Sequence, residues 1–108
     1  MNNSKETLDK ISKIQGLEDE IIQEIIKDDL EEYNSEVEKK RFIEHLLGDI
    51  SSLNEDKIIS KLVEFYKSEP PYIGYCHKYW ATKKDILKNK YNIEWYSPQE
   101  ENPWIDYD

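Results

Sequence analysis

LEDEIIQEIIKDDLEEY, from Leu17 to Tyr33, is the stretch that decides the fold. Its apolar residues Leu17, Ile21, Ile22, Ile25, Ile26 and Leu30 recur at steps that place them along one side of a 3.6-residue helix. Glu20, Glu24, Asp28 and Glu31 fall on the other side. Glu18, Asp19 and Glu20 occupy the first turn, where negative side chains interact favourably with the positive end of the helix dipole. The last turn breaks that rule. Asp28, Asp29, Glu31 and Glu32 lie where the dipole favours cations, and Asp29 projects toward the middle of the apolar stripe. Either the helix ends early or Asp29 has a partner.

Working outward, Leu8, Ile11 and Ile14 recur at three-residue steps between Ser4 and Gln15. They predict a short N-terminal helix in residues 1–16, ended by Gly16, with a stripe too thin to hold it tightly. On the other side, Ser35 and Glu38 form a capping-box signature ahead of Phe42, Ile43, Leu46, Leu47 and Ile50, with Gly48 near the end. Asn54 can cap the next helix, whose inward face is Ile58, Ile59, Leu62, Val63 and Tyr66 until Pro70 and Pro71 intervene.

Pro71 fits the first turn of a further helix, and Tyr72, Cys76, Tyr79, Trp80, Lys83, Ile86, Leu87, Lys90 and Tyr91 trace its face, weakened at the start by Gly74. Lys83 sits near the centre of that face. Because Lys83 and Asp29 each interrupt an apolar stripe, they are predicted to pair. After Asn92, the run Ile93-Glu94-Trp95-Tyr96 has strand character but no partner strand. Ser97-Pro98-Gln99-Glu100 carries the signals for one helical turn, and Trp104, Ile105 and Tyr107 argue for a docked end.

These elements predict an all-α fold in one domain spanning residues 1–108: a compact bundle of four main helices, mostly antiparallel because the connections are short, plus the short N-terminal helix. Residues 92–108 form an extended aromatic tail packed on the bundle.

The 108 residues carry a net charge of −9, unevenly placed. Residues 1–69 contribute −8, residues 70–93 contribute +4, and residues 94–108 contribute −5. The longest uncharged runs are only a few residues, whereas a spanning helix needs about 20 apolar residues, so no membrane segment is expected. The N-terminus lacks the pattern of a secretory signal, and Cys76 is the only cysteine, which together point to a reducing, cytoplasmic setting.

No catalytic constellation stands out. Cys76 and His77 adjoin, but consecutive helical residues point about 100° apart, so Cys76 is expected to face the core as an inert thiol. His45 and Asp49 share a spacing of four, yet two ligands do not make a metal site. Gly16, Gly48 and Gly74 are too scattered for a phosphate loop. Neither metal nor cofactor is expected.

The informative excess is aromatic. Of eight Tyr, three Trp and two Phe, ten fall from residue 66 onward. Trp and Tyr bury large area with little entropy loss and are enriched at protein interfaces. Beside an acid-rich surface they suit a non-enzymatic interaction module for a basic protein, of the inhibitor or immunity type that neutralises a protein such as a nuclease. The nominated contact residues are Glu20, Glu24, Asp28, Glu31, Glu32, Tyr75, Tyr79, Trp95 and Trp104. Two other readings remain: a nucleic-acid-associated protein using the basic aromatic helix 71–91, where His77, Lys84 and Lys88 line up, or a small enzyme of unknown class using Cys76 or carboxylates that converge in space. Oligomeric state is not legible.

Overall fold

The computed structural model describes residues 2–107, and its regular structure is helical: α1 (Lys5–Ser12), α2 (Leu17–Glu31), α3 (Glu36–Leu47), α4 (Glu55–Ser68), α5 (Tyr75–Tyr91) and α6 (Pro98–Glu101). No strand occurs among the described residues. The all-α class read from periodicity therefore holds.

Local signals fix most of the helix starts. Ser4, Ser35, Asn54 and Ser97 stand in extended backbone, and each side chain accepts a hydrogen bond from a first-turn N–H, a contribution of about 1 kcal/mol per cap. The box at Ser97 is complete, with the Glu100 carboxylate accepting the Ser97 N–H at 3.1 Å. At Ser35 it is half formed, because the Glu38 carboxylate reaches the Asn34 N–H instead.

The start of α5 departs from the expectation. Pro71 does not lie in its first turn. Gly74 has φ +82°, a left-handed conformation that interrupts any right-handed helix, so residues 70–73 form a loop and the helix opens at Tyr75. The glycine that seemed to weaken the helix in fact sets where it begins.

Ile21, Ile22, Ile25 and Ile26 of α2 are the centre of the core, enclosed by Leu62, Val63 and Tyr66 from α4, Tyr75 and Leu87 from α5, and Trp95 from the tail. α2 packs against both α4 and α5, while α3 packs on α4 and buries no residue fully. The outline is correspondingly long. Its radius of gyration is 15.8 Å with extents of 46 × 30 × 24 Å, against about 13 Å for a compact sphere-like chain of this length.

The tail is anchored at its start, not its end. Trp95 and Ser97 are buried, and the Asn3 side-chain amide exchanges two hydrogen bonds of 2.8 Å with the Tyr96 backbone, tying the segment before α1 to the far end of the chain. Tyr107 sets its ring edge-on to Trp80 at 5.2 Å. Trp104, expected to dock, is 77% exposed, and Ile105 is also exposed. The Ile105 N–H donates to the Asn102 carbonyl at 3.1 Å, closing a turn that leaves Trp104 exposed, so the docking read from three large C-terminal residues is carried by Tyr107.

Candidate functional site

Helical spacing puts Glu20, Glu24 and Asp28 on one ridge of α2, one turn apart each time. In the folded chain this ridge faces Thr82, Asp85, Ile86, Asn89 and Lys90 of α5 across an open groove of about 510 Å³. The groove is acidic but not uniformly so. Lys90 donates to the Glu20 carboxylate at 2.9 Å and the Tyr91 hydroxyl donates to it at 3.0 Å. The Lys90 hydrogen bond holds the Glu20 carboxyl below the ordinary glutamate range, against a smaller opposing effect of burial. No ion pair within 4.0 Å engages Glu24, Asp28 or Asp85 among the described residues. Glu31 and Glu32 continue the acidic face beyond the groove and are exposed.

Three nearby lysines are held elsewhere, while exposed Lys27 of α2 and Lys88 of α5 have no ion pair among the described residues. Lys67 pairs with Asp19, Lys78 with Asp29, and Lys84 with Glu100. Of the five lysines of α5, only Lys88 is exposed with neither an ion pair nor a ring contact among the described residues.

On the opposite side of α2, Asp29 is buried and accepts from three donors. They are the Tyr66 hydroxyl at 2.8 Å, the Tyr72 hydroxyl at 2.9 Å and the Lys78 ammonium at 2.6 Å. Burial works against the charge of Lys78, but the hydrogen bond and charge of Asp29 outweigh it and hold the ammonium above the ordinary lysine range. Burial, reinforced by the carboxylate, pushes the Tyr66 and Tyr72 phenols up. With three donors satisfied, this cluster secures α2 to α4, to the 70–73 loop and to α5.

The predicted Asp29–Lys83 pair is thus corrected. Lys83 lies over the Trp95 ring, 4.5 Å from its centroid, and no carboxylate is within ion-pair distance of it among the described residues. Burial pushes its ammonium below the ordinary lysine range, opposed only by the charge of Glu18. The stripe argument placed both interruptions on inward faces, but Lys78 lies at the face margin and its flexible stem reaches Asp29 from there.

Among the aromatic nominees, Tyr75 and Trp95 are core residues, Tyr79 is half-buried and Trp104 is exposed. Trp95 therefore serves packing. Tyr75 stacks edge-on against Tyr66 and Tyr72 at 5.6 and 5.7 Å, and lines the depressions between α4 and α5. Sequence reasoning missed Asp85 and the Tyr66–Tyr72–Lys78 set. Asp85 carried a signal, being the lone acid in the basic segment, whereas nothing local marks the other three.

Cys76 is half-buried, its Sγ 3.1 Å from the Tyr107 carbonyl oxygen, and the His77 ring packs edge-on against Trp80. The described residues contain no group of three or more side chains placed to hold a metal ion. No helix among them is long and apolar enough to cross a membrane. Comparison of the chain with family models, with curated proteins and with solved structures found no match.

Proposed function

We propose that this chain is a non-enzymatic, acidic protein-interaction module that binds a basic protein through the face between α2 and α5. The observation that carries this reading is that Glu24, Asp28 and Asp85 line one groove without ion-pair partners among the described residues, while the groove's own lysine, Lys90, is taken up by Glu20. Unpaired carboxylates raise the local negative potential, which accelerates encounter with a positive surface and repels wrong partners. An inhibitor or immunity-type role, neutralising a basic protein such as a nuclease in the cytoplasm, fits that chemistry. The same pairing of the α5 lysines weighs against the nucleic-acid reading.

Affinity capture from the native host tests it, comparing the wild type with the triple variant Glu24→Lys/Asp28→Lys/Asp85→Lys at two salt concentrations. Proteins of basic composition should be retained by the wild type, released as salt rises, and lost from the variant. Equal retention by both chains would remove the α2–α5 face as the contact. Salt-sensitive retention of DNA or RNA by the wild type would replace the protein partner with nucleic acid.

A further inference from the structure

Between the end of α4 and the first two turns of α5 lies a second kind of surface, a cavity of about 290 Å³. Tyr66, Tyr75, Tyr79 and Trp80 supply rings to its wall, and the carboxylates of Glu18 and Glu69 stand at its edge. Lys67 also lines it, but its ammonium is ion-paired with Asp19, whereas Glu18 and Glu69 have no ion pair among the described residues.

The wall selects among ligands by elimination. An anion would meet two carboxylates and the negative faces of the rings. A purely apolar group would leave the carboxylates uncontacted. A flat cation satisfies both features of the wall: it stacks on aromatic faces and pairs with carboxylate in a fork. Guanidinium has that shape, and it is more weakly hydrated than an ammonium. The volume is at the lower limit for ligand pockets, suited to one side chain and not to a larger molecule.

A second cavity of about 430 Å³ adjoins the first, sharing Glu69, Pro70, Tyr75 and Cys76. Ile73, 92% exposed, stands on its lip. An exposed isoleucine beside a cation pocket gives a polypeptide somewhere to lay its flanking apolar residues.

We propose that the α4–α5 cavity receives the guanidinium group of an arginine side chain presented by the basic protein partner. This rests on the reading of the chain as a binder of basic proteins, and it names what the partner inserts. A peptide-borne arginine is favoured over the free amino acid because the latter carries a carboxylate into a site edged by two others.

The test is an NMR titration of the full isotopically labelled chain with three probes: N-acetyl-arginine amide, the matching neutral citrulline derivative, and free arginine. Saturable shifts centred on Tyr75, Tyr79 and Trp80 are expected with N-acetyl-arginine amide, none with the citrulline derivative, and several-fold weaker binding with free arginine. In Glu18→Gln/Glu69→Gln, whose changes are on exposed side chains, affinity for the arginine amide should fall about fivefold or more. Equal response to citrulline, shifts centred elsewhere, or unchanged affinity in the double variant would overturn the assignment. Free arginine binding as tightly as the amide would overturn its protein source.

The two readings fail separately. Capture that depends on Glu24, Asp28 and Asp85 without any arginine response removes the cavity and keeps the acidic face. An arginine response with no salt-sensitive capture removes the protein partner, and with it the proposed origin of the guanidinium.

Discussion

Replacing Asp29 by alanine takes the common acceptor from Tyr66, Tyr72 and Lys78 at once. The Tyr66 side chain is buried, so its hydroxyl is left without a partner, at a cost of about 1–3 kcal/mol. Lys78 keeps 29% of its side chain exposed and can turn partly to water, so its loss is smaller than that of a fully buried cation. Breaking a buried ion pair from one side typically costs about 3–5 kcal/mol, and the arrangement here places Asp29→Ala in that range. Against a total of about 5–15 kcal/mol, that is a large fraction of the stability. Urea unfolding followed by helical circular dichroism should show the midpoint falling by about 2 M with little change in slope. The double variant Asp29→Leu/Lys78→Met, which removes both charges, should recover much of the loss. A cost below about 1 kcal/mol for Asp29→Ala, or a double variant worse than the single, would refute the account of Asp29 as the tie between α2, α4 and α5.

Three further outcomes are expected. Lys83→Met should raise the melting temperature by a few degrees while Lys78→Met lowers it, because burial disfavours the Lys83 charge and, of the two, Lys78 alone has a carboxylate partner among the described residues. Trp95→Ala should cost about 3–5 kcal/mol, whereas Trp104→Ala should fall within about 0.5 kcal/mol of the wild type, both read from thermal or urea melts. Stability should decline at both pH extremes. Glu20 and Glu100 have carboxyls lowered in the folded chain by Lys90 and Lys84, so their contribution is present above the ordinary value of 4.5 and is lost as pH falls below it. Tyr66 and Tyr72 are raised in the folded chain, so their contribution is complete below the ordinary value of 10.0 and is lost as pH rises beyond it. A flat stability profile across either limit, measured by urea melts at stepped pH, would contradict the corresponding pairs.

Helix class and helix starts were legible because they depend on neighbours within a turn or two. The isoleucine stripe of α2 and the caps at Ser35, Asn54 and Ser97 are statements about residues three or four apart, and the chain obeys them. The start of α5 was misplaced because a glycine in left-handed backbone and a first-turn proline give conflicting local signals, and only the folded chain chose between them. The acidic ridge of α2 was legible for the same periodic reason. Its groove was not, since Asp85 is 57 positions from Asp28 and meets that ridge only through helix packing.

What the sequence by itself determined, then, is where the helices run, the start of α5 excepted, and which side of each is apolar or charged, because both follow from backbone geometry repeated every 3.6 residues. Tertiary structure decided the partners: Lys78 and not Lys83 for Asp29, Lys90 for Glu20, no ion pair among the described residues for Glu24 or Asp28, Trp95 inside and Trp104 outside. Charges find partners across tens of residues through the rotation and depth at which helices pack. Those quantities are set by the whole core together and are written in no single stretch of chain.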